Sequence, residues 1–545
     1  MSRAHVYVRN LAANWVGYGA NLLVMFFLTP FIVHSLGTAA YGLWTLMVSL
    51  AGYFGLADVG IRMSVGRFIN YHMARGETDE INNTVNSAFM FFAPVGAVLL
   101  GLAALLGASF AAAFPNVQPQ WEHQATAVLM LAAGQVFLAF YSSTFWSVVV
   151  AHEHFVVRNV AALVTLAVRT TAVVIALKTG RGLVALAAIA AACEVLNLLA
   201  AASCAFRYDR ALRVGIHWCH FGHLRRMLSY GVGAFLSAVS QRVIYFIDVV
   251  VIGWLLGARD ITYYSIGLMF VQYGRGLLQE IVRTMYPRIG KQGGMRDAHV
   301  ERVITFGATR AIMLFTVPLM CLLITQGREL IVTWMGDESF AASARILVIL
   351  AVAQLFSMSS EAWRNMLASL GHIWMVSIVS IIEAAANMLL SVALVLGAGM
   401  GIEGVAAGTL IPSVLFMGLI LPGVGASLLR IHLRFFARAV TIRWVSATVI
   451  CLLLGSAVAR LPLPLGGWIA LSVRLLLAGG AMMAVCWLLV PTRQERQYVA
   501  PAMGPLGRWL VPPAPPAPLA PAEVEPDDAD TESAIAAAIE REEKE

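Results

Sequence analysis

Charge is scarce in this chain. Asp, Glu, Lys and Arg make up 12% of its 545 residues, about half the share of a soluble domain, which excludes a water-soluble globular fold. Lysine is nearly absent, at positions 178, 291 and 544 alone, so arginine carries almost all the positive charge. No GxxxxGK[ST] occurs, which argues against ATP hydrolysis by this chain. The six cysteines lie mostly in apolar runs and offer no pair in an exposed loop, which argues against a disulfide framework. His217, Cys219, His220 and His223 have metal-ligand chemistry but sit in a basic, aromatic segment that reads as interfacial. No metal site and no cofactor are expected. The formal net charge of +7 is modest; basic loops against an anionic leaflet account for it without nucleic acid.

Apolar residues fill the rest: 59% of the chain, with a mean hydropathy of +0.78. A membrane span needs about 20 of them. The runs 11–34, 41–61, 84–113, 125–151, 157–178, 182–206, 228–256, 261–287, 303–325, 345–370, 373–397, 404–429, 439–460 and 467–490 qualify as spans 1 to 14. The apolar run after Arg9 is too long for a cleavable signal and reads as span 1. Basic residues sort twenty to six between the two faces when the N-terminus is placed inside. The expectation is therefore a multi-pass inner-membrane protein with both termini cytoplasmic.

The chain also repeats itself. Leu36-Gly37 with Tyr41 matches Leu256-Gly257 with Tyr263; Gln135-Val136-Phe137 matches Gln354-Leu355-Phe356; Gly182-Leu183 matches Gly401-Ile402. Every offset is close to one value, so six spans repeat as six, in parallel. The fold class expected is all-α and polytopic: fourteen transmembrane helices, in two six-helix lobes plus two extra C-terminal helices. The domains follow: an N-lobe at 1–206, a basic cytoplasmic inter-lobe segment at 207–227 acting as hinge, and a C-lobe at 228–430. Spans 13 and 14 occupy 431–490, and a Pro/Ala-rich acidic cytoplasmic tail, expected to be disordered, occupies 491–545. Transporters of this build often place substrate between the repeats.

Six arginines sit within the spans: Arg169, Arg242, Arg275, Arg310, Arg364 and Arg474. Each costs roughly 2.5–3.5 kcal/mol at a span centre, so they are expected to face a shared polar interior. Helical spacing arranges the polar residues into stripes. Span 1 aligns Asn10, Asn14, Tyr18 and Asn21. Span 2 aligns Gly55, Asp58 and Arg62, with Asp58 and Arg62 spaced for an ion pair. Span 7 aligns Ser237, Gln241, Tyr245 and Asp248, with Arg242 at the edge. Span 8 aligns Tyr264, Arg275 and Gln279, with Gln272 beside them. The substrate-binding candidates are Arg242, Arg275, Arg62, Asn14, Asn21, Gln241 and Gln272. Arginine's planar, permanent charge suits phosphate or carboxylate. Span 10 carries Gln354, Ser357, Glu361 and Arg364, and span 11 carries Ser380, Glu383 and Asn387. Asp58, Asp248, Glu361, Arg364 and Glu383 are candidates for ion coupling, to H+ or Na+, or for structural pairing. Arg169 is expected to pair with Glu194, and Arg310 and Arg474 to lie near span ends.

Asn14-Trp15, Gly17, Pro30-Phe31, Leu36-Gly37, Tyr41-Gly42-Leu43-Trp44 and Leu56-Ala57-Asp58-Val59-Gly60 resemble the opening of bacterial polysaccharide-biosynthesis membrane proteins. These are the O-antigen and exopolysaccharide flippases of the multidrug/oligosaccharidyl-lipid/polysaccharide exporter superfamily. The resemblance covers residues 1–490. It implies two bundles opening alternately to each side, and an undecaprenyl-pyrophosphate-linked oligosaccharide carried outward through a cationic cavity. It implies a transporter and not an enzyme, working among membrane lipids. The tail has no counterpart in the family and leaves room for contact with polymerase or export machinery. A peptidoglycan-precursor flippase and a drug/cation antiporter of the same superfamily are the alternatives. A membrane polymerase or ligase fits less well, because the outer loops are short.

Overall fold

The computed structural model describes residues 3–58, 60–293, 298–429, 432–462, 466–492 and 495–496. Side chains are described within these, except at 3–15, at 119, at 230–245 apart from Phe235, Val239 and Arg242, and at 281–302 apart from Val282. The tail beyond 496 lies outside the described residues, as do the side chains of Asn14 and Gln241. The described residues form helices and no strands. Twelve of these helices are long and apolar enough to cross a bilayer, and Phe246–Leu255 is a shorter apolar stretch. It belongs to the 35-residue helix Phe221–Leu255, expected as span 7, and the helix Ala258–Gly293 follows where span 8 is expected. The protein is therefore a multi-pass, all-helical membrane protein.

Span 2 ends earlier than its hydropathy suggests. The helix Thr38–Phe54 tightens into a 3-10 turn at Gly55–Asp58, and the chain then starts a separate helix, Ile61–Arg75. Gly60 makes the change of direction, at φ 76°, a region that L side chains enter only at a cost. Asp58 fixes the turn by accepting from Gly60 N at 3.0 Å while its other oxygen pairs with Arg62. Asp58 and Arg62 thus straddle a break instead of sharing one helix.

Two later spans are also discontinuous. Span 10 breaks between Ala341–Ser359 and Glu361–Ser369. Opposite it, span 12 widens into a π stretch at Ser413–Ile420, directly after Pro412, which has no N–H to continue the α ladder. The two irregularities face each other: the Ser360 hydroxyl donates to the Met417 carbonyl. Irregular backbone at membrane depth is tolerated only where protein or a polar cavity satisfies it.

Residues from the two repeats meet along spans 2, 7 and 8. Gly42 lies so close to the Ala258 carbonyl that a Cβ would overlap it. The Thr262 hydroxyl donates to Thr38 O at 2.6 Å. Gly52 leaves room for the Phe246 ring, and Trp334 Nε1 donates to Phe26 O at 2.8 Å.

Candidate functional site

The polar interior divides into two sites. The first, of about 380 Å³, is walled by spans 2, 4, 5, 6 and 7. That is large enough for a sugar-phosphate head group. Arg62, Arg169 and Arg242 all line it, together with Gln135 and the apolar faces of Trp44, Met47, Phe140 and Phe246. No carboxylate is among these lining residues. Asp58 lies just behind, paired to Arg62. Three guanidiniums thus face the cavity, one of them paired from behind.

Two of the three arginines are held in place. Arg242 donates to the Gly52 carbonyl at 2.9 Å and lies 5.7 Å from the Phe246 ring centroid. Its guanidinium lies against the backbone at Gly55. Arg62 sits 5.7 Å from the centroid of Phe140. Cation–π placement of this kind adds attraction while leaving the N–H edge free to bind. Arg169 was expected to pair with Glu194, yet no such ion pair occurs among the described residues. Glu194 instead accepts from Ser142 Oγ at 2.6 Å and Asn197 Nδ2 at 3.0 Å. With its expected partner satisfied by neutral donors, Arg169 is left to line the cavity.

The second site, a small cavity of about 70 Å³, lies wholly among later spans. It is lined by Asp248, Gln272, Arg275, Gln354, Arg364, Glu383, Thr409 and Ser413, among others. Its charges are mixed and partnered. Arg275 stands 4.0 Å from Glu361. Ser413 Oγ donates to Glu383 at 3.3 Å, and Arg364 reaches Met417 Sδ at 3.0 Å. Asp248, only 3% exposed, accepts from Tyr264 OH at 2.5 Å and Thr409 Oγ1 at 2.9 Å. Asn387 Nδ2 donates to Thr409 at 3.1 Å, and Ser391 reaches both Asn387 Oδ1 and the Val405 carbonyl. A carboxylate and several hydroxyl and amide oxygens thus converge from spans 7, 8, 11 and 12.

The structure therefore separates Arg242 from Arg275, which sequence spacing had treated alike. Gln272 lines the second site and not the first. Asn21 is exposed and lines neither. Arg310 donates to Ala439 O at 3.3 Å, and Arg474 pairs with Glu329 at 2.6 Å, so both are tied to protein. Arg169 in the cavity and Thr409 beside Asp248 escaped the sequence reading. Arg169 had a nominal partner in sequence, and a lone threonine on an apolar helix carries no signal.

Comparison with known proteins bears on the family and the fold. A family model described as polysaccharide biosynthesis protein matches residues 7–292. A putative O-antigen transporter of Shigella flexneri is 21% identical over 358 residues, covering 64% of this chain and 82% of that protein. Among solved structures, the lipid II flippase MurJ in an inward closed conformation aligns with a TM-score of 0.67 at 12% identity, over 91% of this chain and all of that one. An inward-facing multidrug resistance MATE transporter aligns with a TM-score of 0.59 at 15% identity, over 75% and 98%. These likenesses establish the fold, and the matched model, spanning more than half of the chain, establishes that it belongs to the polysaccharide biosynthesis protein family.

Proposed function

We propose that the protein is a flippase that carries an undecaprenyl-pyrophosphate-linked oligosaccharide from the cytoplasmic to the outer face of the bacterial inner membrane, by alternating access of its two lobes. The observation that supports this most is the first cavity: three arginines line it and, among the described residues, no carboxylate does. A diphosphate bridging a lipid and a sugar carries two negative charges at neutral pH. Guanidinium is the side chain best shaped to hold it. The Gln135 amide and the apolar and aromatic wall suit sugar hydroxyls and ring faces. A drug/cation antiporter would call for carboxylates here instead. Deleting the gene is expected to make lipid-linked oligosaccharide accumulate on the cytoplasmic leaflet. Normal surface glycan in the deletion strain, with no redundant flippase present, would sink this reading.

The second site is proposed to supply the driving force. A buried Asp248 surrounded by hydroxyl and amide oxygens is suited to neutralisation by H+ or Na+. Glu361 and Glu383 lie in the same mixed-charge region. Such a site, near a helix discontinuity, matches where ion coupling is found in transporters. Asp248→Asn is expected to abolish the dependence of transport on the coupling gradient in proteoliposomes. A variant that keeps the full wild-type response to both pH and Na+ gradients would remove Asp248 from coupling.

A further inference from the structure

The inter-lobe segment 207–227 is fastened to the first lobe by side chains that imitate a β partner. Asn82 and Asn86 lie one helical turn apart near the start of the helix Thr78–Ala108, each 2% exposed. Asn82 Nδ2 donates to Ala211 O at 3.1 Å, and its Oδ1 accepts from Arg213 N at 2.9 Å. Asn86 Nδ2 donates to Arg213 O at 2.8 Å, and its Oδ1 accepts from Gly215 N at 2.9 Å. The match is geometric. Four residues of helix rise about 6.0 Å, and two residues of extended chain advance about 6.6 Å. Two amides spaced i, i+4 can therefore satisfy backbone groups spaced i, i+2. Only asparagine or glutamine offers donor and acceptor together in this way.

Further contacts extend the attachment. Ser87 Oγ and the His220 backbone lie at 3.1–3.2 Å, and Cys219 Sγ reaches Asn86 O at 3.4 Å. His223 Nε2 stands 3.1 Å from Glu80, and burial pushes its imidazole below the ordinary value against the pull of that carboxylate. Ser64 Oγ donates to Met227 O at 2.8 Å, at the point where span 7 begins. Farther along the same helix, Arg242 bonds to Gly52 and Phe246 packs on it. Asp248 then turns to second-lobe partners, Tyr264 and Thr409. Span 7 thus bonds to both lobes, and beyond Asp248 it meets the first again, where Asn116 Nδ2 donates to Trp254 O at 2.8 Å.

We propose that Asn82 and Asn86 are positioning residues: by clamping the inter-lobe segment they keep Arg242 with Arg62 and Arg169 as one cationic site. Arg242 belongs to the second repeat in sequence and to the first lobe in function. The segment 211–220 is then a fixed strap, and the hinge expected there lies elsewhere. This rests on the reading of the first cavity as the substrate site.

The test uses the full chain in lipid nanodiscs. Hydrogen–deuterium exchange is expected to find the Arg213 and Gly215 amides protected. In Asn82→Ala/Asn86→Ala they speed up by about tenfold or more, since each loses its acceptor, with the helix Glu122–Ala151 unchanged. The same variant, reconstituted, raises KM for undecaprenyl-pyrophosphate-linked oligosaccharide about tenfold with a smaller change in kcat. Asn86→Asp keeps the acceptor facing Gly215 N and loses the donor to Arg213 O, so it falls between. If the double variant accelerates exchange throughout, Asn86→Asp decides, through acceleration confined to 211–215. Unprotected amides in the wild type, or unchanged exchange in the variants, overturn the clamp. Released amides with unchanged KM overturn the positioning role. A wild type that transports no such lipid defeats the proposed function, while the exchange result still decides the clamp.

Discussion

Replacing either Arg169 or Arg242 with alanine is expected to lower flipping of the lipid-linked oligosaccharide by about 10- to 100-fold. The magnitude follows from the loss of a charge-assisted hydrogen bond to the diphosphate, about 1.5–3 kcal/mol, at about 1.4 kcal/mol per factor of ten. Lysine should rescue Arg169 or Arg242 only in part, because an ammonium restores charge and not the planar fork. The two positions are informative together. Arg242 is oriented by Gly52 O and Phe246, so its loss removes a fixed donor. Arg169 has no ion pair among the described residues, so its removal strands no buried carboxylate, and stability should hardly change. Transport measured in proteoliposomes against protein that elutes as a single folded species checks this. Full transport by both alanine variants would remove the arginine cavity from the mechanism. Arg62→Ala is a poorer probe, since it also deprives Asp58, 8% exposed, of its partner.

The spanning helices were legible because hydropathy and length alone mark a span. What escaped the sequence is local and physical. The end of span 2 looked continuous because Gly55 to Arg62 keep helical spacing; only the left-handed Gly60 and the Asp58 turn reveal the break. The stripes gathered polar residues onto helix faces. They could not say which faces meet, so Arg242 and Arg275, in equivalent places on neighbouring helices, look interchangeable until the structure puts them in different cavities. Arg169 was assigned to Glu194 on charge alone, whereas Ser142 and Asn197 satisfy that carboxylate. The asparagines of the clamp were invisible for another reason. Asn82 and Asn86 fall at the edge of span 3 in an acidic, polar stretch where solvated side chains are the default.

Severing the Arg275–Glu361 pair is expected to cost the protein more stability than any arginine change in the first cavity. Both side chains are nearly buried, at 12% and 8% exposure. Removing one partner of a buried pair leaves the other charge desolvated, at about 3–5 kcal/mol. Arg275→Met should therefore unfold far more readily in detergent, and Glu361→Leu likewise. The double variant should be more stable than the sum of the two losses implies, because an apolar pair of similar volume avoids the desolvation that each single change leaves uncompensated. Strict additivity would show that the two groups do not interact. The cycle also separates two roles for Glu361. If it only balances Arg275, the double variant recovers both folding and gradient-driven transport. If Glu361 exchanges a cation during the cycle, the double variant recovers folding and stays blind to the gradient. That outcome would extend the coupling site from Asp248 to the break in span 10, where Ser360 bonds to the π stretch of span 12 and the backbone has been opened to make room for charge.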